Sequence, residues 1–297
     1  MKRSLRIMVL VAAWCSGAAA AEPATPTGPV LIVVGPSTHP PGTHEVAAGA
    51  RLMKHCVEHA ENLPGMRAEV SEGWPTDDRL LDDAATIVFT GDIFPPARLP
   101  NKDATMARLG RMMDRGCGIV CVHYATGLGA NDVPEDGQHP LLDWMGGYFA
   151  THCKHHQSVA KVFDATISPA EGDHPVLRGW KTFSLRDEPY YNNYFGSGGM
   201  KPGVVALATS MLPPDAPKRE VVAWSVTRSD GGRGMGIVMP HFFKSWRNDD
   251  LRRSIMNGIV WTAGREVPNE GVQTTLPDLT AFEPGSIEPQ PRPAKRN

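Results

Sequence analysis

Short apolar runs separated by amphipathic stretches dominate the first half of the chain. Three five-residue runs, Val30–Val34, Thr86–Thr90 and Gly118–Val122, are apolar almost throughout, which is typical of strands buried on both faces. Between the first two, Thr43 is predicted to cap a helix whose apolar stripe consists of Val46, Ala50, Met53, Val57 and Ala60. Another helix is predicted over 101–115. This alternation of strand and helix favours an α/β fold with a parallel central sheet.

The second half of the chain has a more mixed pattern. We predict strands in "SVAKVF", "GVVALAT", "EVVAWSVT" and "GMGIVM", with the last two joined as a hairpin by the glycine-rich "RSDGGR". A final helix is predicted to be capped by Asp249 or Asp250 and to stop at Gly264, with Leu251, Ile255 and Ile259 facing inward. Proline and polar residues dominate 266–297, which predicts a disordered or draped tail.

The first residues have the order of a secretory signal. Lys2, Arg3 and Arg6 precede a short apolar core, and three alanines stand before Glu22. We therefore expect a signal peptide over 1–21, a linker over 22–29 and a periplasmic or secreted protein. The apolar core is too short to cross a bilayer, so no stable membrane insertion is expected.

Composition narrows the class of protein further. A length of 297 residues suits one large α/β domain, which we place at 30–265. The formal net charge of −2 argues against a nucleic-acid partner, since such proteins usually carry a basic stripe. Cys117 and Cys121 lie about 13 Å apart along a strand, beyond disulfide reach, and a long-range bridge from Cys56 or Cys153 stays open. The sequence leaves a homo-oligomer open.

Polar side chains collect where the predicted strands end. In open parallel sheets, ligands bind outside the carboxyl ends of the strands, so these residues are expected at one site. They are Ser37, Thr38, His39, His44, Glu45, Asp92, His123, Tyr124, Thr126 and His241. Histidine or acid at several matched strand ends favours a functional site over isolated structural hydrogen bonds.

Two further segments add candidate chemistry. "GGYFATHCKHH" contains His152, which we count as a candidate, and His156, which we expect to be solvated. "DEPYYNNYF" contains Glu188 beside Tyr190, and aromatic rings of this kind stack on the C–H faces of sugars. These rings either bind a small-molecule carbohydrate or are packed tyrosines of a surface strand, and no nucleotide cofactor is expected.

The histidine and carboxylate residues allow two chemical interpretations. One divalent ion, zinc or manganese, would take ligands from His123, His152, Glu188 and His241 and keep a position open for substrate. Alternatively, His123 and Glu188 act as catalytic base and acid without metal. In both versions the substrate-binding residues are His39, Tyr124, Tyr190 and Trp246. The sequence leaves both versions open.

Two other motifs are predicted to be inert. "HCVEH" fits a metalloprotease pattern, but His55 and His59 lie opposite the apolar stripe of their helix and face solvent. Cys121 lies inside a predicted strand, whereas His123 takes the turn position where a nucleophile would be exposed. The chain is therefore not expected to be a glutamine amidotransferase.

Over residues 30–264 the chain resembles the trehalose-utilisation, or ThuA-like, family. The resemblance is carried, in order, by "STHPPGTHE", "GIVCVHYATG", "WMGGYFATH", "DHPVLRGW" followed by "DEPYY", and "IMNGIVWTAG". It implies a flavodoxin-like single domain: a largely parallel central sheet with helices on both faces, akin to class I glutamine amidotransferases but without their cysteine. One departure is "MPHFFKSW", where Pro240 stands in place of the family's frequent glycine before His241.

The same resemblance implies a role in carbohydrate metabolism, with a disaccharide or its 3-keto derivative as substrate. Glu188 is this chain's match to the family's acidic motif. We expect an enzyme of the hydrolase, lyase or isomerase type. The alternative is a non-catalytic carbohydrate-binding or accessory protein.

Overall fold

A nine-stranded sheet forms the centre of the structure, a computed structural model that describes residues 28–292. The strands are β1 Val30–Val34, β2 Ala68–Glu72, β3 Thr86–Thr90, β4 Gly118–Val122, β5 Gly127–Gly129, β6 Phe149–Thr151, β7 Phe163–Pro169, β8 Phe183–Asp187, β9 Val204–Leu212, β10 Lys218–Thr227 and β11 Arg233–Ile237. The helices are α1 Val46–Glu58, α2 Asp78–Asp83, α3 Lys102–Asp114, α4 Leu141–Trp144 and α5 Asp249–Thr262. β5 and β6 pair with each other in a separate sheet.

The central sheet is parallel in one half and antiparallel in the other. Its strand order is β2-β1-β3-β4-β11-β10-β9-β7-β8, and pairing is parallel as far as β11. From β11 onward every pair is antiparallel, beginning with the predicted hairpin between β10 and β11. The α/β class is confirmed, but "largely parallel" is corrected, because a short hairpin can only join antiparallel strands.

The parallel strands are placed well by the sequence, and the edge strands are not. All residues of β1, β3 and β4 are buried, as their continuous apolar runs predicted. The strand predicted in "SVAKVF" is wrong, since β7 begins only at its last residue, Phe163. β7 alternates buried and exposed positions, and β8 was not predicted at all. Polar residues on the exposed faces of such strands break the apolar run that would reveal them.

Both long terminal helices begin differently from the predictions. The N-cap of α1 is Glu45 and has no side-chain cap, so the prediction of Thr43 as its cap is wrong. The N-cap of α5 is Asn248, whose side chain accepts a hydrogen bond from a backbone N–H at 2.9 Å. Asp249 and Asp250 lie instead in the first turn, where acidic side chains favour the positive end of the helix dipole. α1 and α5 pack against each other beside the parallel strands.

The tail is draped over the domain. Four apolar side chains of the tail are buried: Val267, Val272, Leu279 and Phe282. Arg51, on α1, donates hydrogen bonds at 2.8 and 3.0 Å to the carbonyl oxygen of Phe282. The prediction of a disordered Pro-rich tail over 266–297 is therefore corrected for residues 266–292, because burial of these side chains offsets the entropy of ordering. Residues 293–297 lie outside the described part.

Replacing Phe282 with alanine should lower the free energy of unfolding by about 3 kcal/mol, because a buried aromatic ring is removed. Met211, which is 55% exposed, offers a matched control, and Met211→Ala should change stability by less than about 0.5 kcal/mol. Urea denaturation of both variants measures the difference. Equal stability of the two variants would show that the tail is not packed as described.

The structure tests membrane spanning within the described residues, and it does not test export. Between residues 28 and 292, no helix has the length and apolar character needed to cross a bilayer. The predicted signal peptide, 1–21, and most of the linker lie outside the described residues, so export stays a prediction. Within the described part all cysteines are unpaired and buried: Cys56, Cys117, Cys121 and Cys153.

Candidate functional site

The candidate site lies at the edge of the sheet where β1, β3, β4 and β11 end. His123 follows β4 directly and has a φ of +52°, and His44, just before α1, has a φ of +45°. Non-glycine residues rarely adopt this left-handed conformation, and those that do cluster at functional sites. The ring centroids of these two histidines lie 4.5 Å apart.

The tautomer of His123 is set by one backbone contact. Its Nδ1 lies 2.8 Å from the carbonyl oxygen of Val238. Because a carbonyl oxygen only accepts, Nδ1 carries the proton and donates it, and in the neutral ring Nε2 is left with a lone pair. That lone pair points into the site.

Several polar groups converge on this single lone pair. His241 Nδ1 lies 2.9 Å from His123 Nε2, and the Tyr190 hydroxyl lies 3.1 Å from it. Glu188 Oε2 lies 3.9 Å from the same nitrogen and 3.2 Å from His241 Nδ1. One lone pair accepts one strong hydrogen bond. The three groups around His123 Nε2 therefore cannot all form good hydrogen bonds with it.

His44 contributes a third imidazole nitrogen. Its Nδ1 lies 2.5 Å from Asp92 Oδ1, while its buried Nε2 has no hydrogen-bond partner. Asp92 also contacts His39 Nδ1 at 3.1 Å and accepts a hydrogen bond from the backbone N–H of Thr38 at 2.8 Å. A carboxylate behind an imidazole fixes its tautomer and orientation, the usual support of a metal-binding histidine. Asp92 therefore orients His44 toward the site.

The donor atoms fit a divalent metal ion. His44, His123, Glu188 and His241 each offer one atom, and these atoms lie within 4.8 Å of one another. Ligand atoms of a tetrahedral zinc lie about 3.3 Å apart, given metal–nitrogen distances of about 2.0–2.1 Å. His44 Nε2 has no hydrogen-bond partner and His123 Nε2 has several competing ones. A bound ion would accept the lone pair of each of these nitrogens. A second group, made by His39, His44 and Asp92, is explained by its own hydrogen bonds.

Asp187 ties the acidic segment to the last histidine. This fully buried carboxylate accepts hydrogen bonds from the backbone N–H of His241 and of Glu188, at 2.8 and 2.7 Å. It also accepts one from the hydroxyl of Ser245 at 2.5 Å. β8 belongs to the far edge of the sheet, so this contact holds its end beside the loop that follows β11. Asp187 is therefore a positioning residue for Glu188 and His241.

Burial sets the protonation states of the cluster. Burial, together with neighbouring imidazoles, lowers the pKa of His241 to about 2 and lowers the pKa of His123 well below its ordinary value. Burial and the nearby Asp187 raise the pKa of Glu188 to about 7. For Asp92, burial raises the pKa, but the hydrogen bonds from His39 and His44 prevail and hold it well below the usual range. The histidines are thus neutral near pH 7, the form that binds metals.

Glu188 also lines a cavity of about 500 Å³ outside the cluster. Its wall includes three aromatic rings, Tyr124, Phe149 and Tyr190, with ring centroids of Phe149 and Tyr190 4.0 Å apart. His39 lies on the same wall. A volume of this size accommodates a small sugar, and aromatic walls suit its C–H faces.

The structure brings most of the predicted site residues together. His123, Glu188 and His241 lie in the donor group, and His39, Tyr124 and Tyr190 line the cavity. His152 is a correction: it is exposed on the cavity rim and lies outside the donor group. Trp246 is another: it lines a small inner cavity of about 30 Å³ behind the imidazoles instead of the sugar-sized one.

His44 takes the place in the donor group that sequence reasoning gave to His152. It was noted at a strand exit but not chosen as a ligand. The available signal was its position directly before α1, beside a loop that must return toward the strand ends. Choosing between the two histidines required the backbone conformation of each loop, which residue types alone do not specify.

The two motifs predicted to be inert lie away from the cluster. His55 and His59 stack on each other with ring centroids 4.2 Å apart on α1, and they belong to no metal-binding group among the described residues. Cys121 lies fully buried within β4, where burial raises the pKa of its thiol well above its usual value. A desolvated thiol of this kind is a poor nucleophile.

Replacing Cys121 with serine should leave metal binding and any sugar turnover unchanged within about twofold, because the thiol neither faces the cavity nor ionises. The substitution should cost about 1–3 kcal/mol of stability, since it buries a hydroxyl. Activity and thermal unfolding of the same sample separate the two effects. A folded variant that has lost its activity would contradict this assignment.

Comparison with known proteins gives the family and the fold. The family model named ThuA and described as trehalose utilisation matches residues 30–262. A ThuA-like protein from Bacteroides uniformis superposes with a TM-score of 0.55 at 14% identity, covering 86% of this chain and 97% of its own. One from Parabacteroides merdae gives 0.52 at 14% identity, with coverage of 84% and 93%. At these identities the likeness concerns the fold alone. A search of curated proteins gives no match.

Proposed function

The chain belongs to the trehalose-utilisation (ThuA) family, and from this premise we propose that it is an exported, metal-dependent enzyme acting on a carbohydrate. Its proposed ligands are His44, His123, Glu188 and His241. The substrate class is a disaccharide or keto-glycoside, held in the adjoining cavity. The observation that carries the proposal is the convergence of these four donors on one point beside that cavity.

The donor set favours zinc over manganese. Three imidazole nitrogens and one carboxylate oxygen suit zinc, whereas manganese prefers sites with more oxygen ligands. Neutral histidines need no deprotonation to bind, and Asp92 already orients one of them. When bound, the ion would polarise a sugar carbonyl or a water molecule.

The protein's own side chains would do the remaining work. Tyr190 holds a proton 3.1 Å from His123 Nε2, on the wall of the cavity. Burial and the nearby Glu188 keep the pKa of this hydroxyl well above its ordinary value, so it stays a donor. Tyr124 and Phe149 bound the sugar's faces and exclude water from the floor. In the metal-free version, His123 Nε2 would take the proton from the carbon beside the keto group. The electron pair would form a carbon–carbon double bond as the glycosidic C–O bond breaks, and protonated Glu188 would give its proton to the leaving oxygen.

Turnover of trehalose and 3-keto-trehalose by the purified protein, before and after chelation, tests the function. We expect turnover of the keto sugar, loss of activity with the chelator, and recovery with zinc. Activity that survives complete removal of metal would support the acid and base version. Binding of sugar without any turnover would support the alternative of a non-catalytic carbohydrate-binding or accessory protein.

Zinc affinity should fall as the pH drops below about 7, because Glu188 must be ionised to act as a ligand and its pKa is about 7. The sign follows from the proton: above the pKa the carboxylate is free to bind, and below it a proton competes with the metal. Competition with a chromophoric chelator between about pH 6 and 8 measures this, with a slope approaching tenfold per pH unit at the acid end. A flat profile over this range would exclude Glu188 as a ligand.

A further inference from the structure

The end of the described chain returns to the candidate site. We call residues 285–292 the C-terminal strap. Glu45 fastens it, because the carboxylate of Glu45 accepts hydrogen bonds from the backbone N–H groups of Gly285 and Ser286 at 2.9 and 3.0 Å. The same carboxylate accepts one from Gly42 at 2.7 Å. One side chain thus joins the strap to the loop that carries His39 and His44.

Further contacts pin the strap along this loop. The backbone N–H of Gln290 donates to the carbonyl oxygen of Pro41 at 2.9 Å, and Lys244 pairs with Glu288 at 2.8 Å. Gly42 has a φ of +81°, and a Cβ there would lie 2.2 Å from the carbonyl oxygen of Glu288. Only glycine permits both this conformation and this close approach. The strap is therefore seated specifically against the site loop.

The strap ends at the cavity and delivers Arg292 to its wall. The guanidinium has no ion-pair partner among residues 28–292 and remains solvent-accessible. Arg292 and Glu188 line the same cavity, so one molecule bound there can contact both side chains.

Charge balance indicates what Arg292 binds. Among residues 28–292, the cavity wall carries two formal charges besides histidine, those of Glu188 and Arg292, and the proposed metal site engages Glu188. With an ion bound, the cavity keeps an excess of positive charge. The guanidinium fork matches a carboxylate with two parallel hydrogen bonds, a pairing stronger than bonds to neutral hydroxyls.

We propose that the sugar in this cavity carries a carboxylate and that Arg292 binds it. The inference rests on the proposed function, since it takes the same cavity to bind carbohydrate. It adds a substrate class, an acidic sugar such as a uronate, and a specificity-determining residue supplied by the strap. Arg292 binds the carboxylate of the sugar, at the end that lies away from the metal ligands.

Isothermal titration of the full mature protein with glucuronate and with glucose tests this inference. We expect the parent to bind glucuronate about tenfold more tightly or better, the size expected for a charge-assisted hydrogen bond. Arg292→Gln should abolish the preference, and Arg292→Lys, which keeps the charge but not the fork, should retain part of it. Arg67, exposed at the opposite end of the parallel strands, supplies the control Arg67→Gln, which should behave like the parent.

The inference is overturned if the parent binds glucuronate no better than glucose, including the case in which neither binds detectably. It is equally overturned if Arg292→Gln keeps the preference. Zinc titration of the same samples separates this failure from failure of the proposed function. All variants should bind zinc like the parent. If the preference for glucuronate over glucose is lost while zinc binding is intact, the result bears on the role of Arg292 and not on the metal site.

Discussion

Zinc should no longer bind stoichiometrically to variants that lack Glu188 or His123. We expect Glu188→Gln and His123→Ala to weaken zinc binding more than 100-fold, beyond the roughly 10–100-fold lost when only a supporting partner of a ligand is removed. Each substitution removes one of the four converging donor atoms. Turnover should fall with metal content, because a bound ion would supply the electrophile in the proposed reaction.

The double variant His55→Ala/His59→Ala is the matched control for this result. It removes two imidazoles that stack on α1 away from the cluster, so zinc stoichiometry should stay at one per chain. If Glu188→Gln and His123→Ala abolish turnover while metal content stays unchanged, the two residues act as acid and base. If zinc stoichiometry falls in the control variant instead, His55 and His59 bind the metal, as the metalloprotease pattern would require.

Asp92→Asn should weaken zinc binding about 10–100-fold without unfolding the protein. The carboxylate contacts His44 at 2.5 Å and His39 at 3.1 Å, and asparagine keeps its shape but loses its charge. His44 would then be free to present the wrong tautomer at its buried Nε2. The effect works through orientation and charge, since Asp92 is not in the donor group.

Zinc titration together with thermal unfolding distinguishes this role from a merely structural one. A structural role would lower the melting temperature and leave the zinc affinity of the folded fraction unchanged. The exposed ion-pair residue Asp164 provides the control, because Asp164→Asn removes a carboxylate paired only with Arg186 at the surface. The account fails on this point if Asp92→Asn binds zinc like this control.

Strands that are buried on both faces could be predicted from the sequence, whereas two strands with an exposed face could not. β1, β3 and β4 are buried on both faces, so their sequences are apolar without interruption and give strong signals. β7 and β8 at the sheet edge alternate with exposed polar residues, and neither was located correctly. The sequence left the tail open between disordered and draped, because its few apolar residues lie far apart among prolines and only tertiary packing buries them.

Strand polarity predicted the position of His123 but did not separate His44 from His152 as a ligand. His123 directly follows β4, so its position at the sheet edge could be inferred from strand polarity alone. His152 also directly follows a strand, β6, yet its ring is exposed, whereas His44 lies in a loop and its ring is buried in the donor group. The role of Asp187 gave no sequence signal, because its neighbour Glu188 offers the same chemistry one residue later.

An anomalous difference map, collected at the zinc absorption edge from crystals of the protein prepared with zinc, tests the central claim most directly. The account predicts one strong peak per chain, about 2.0–2.2 Å from donor atoms of His44, His123, Glu188 and His241. Absence of a peak at this cluster, or a peak only at His55 and His59, would contradict it.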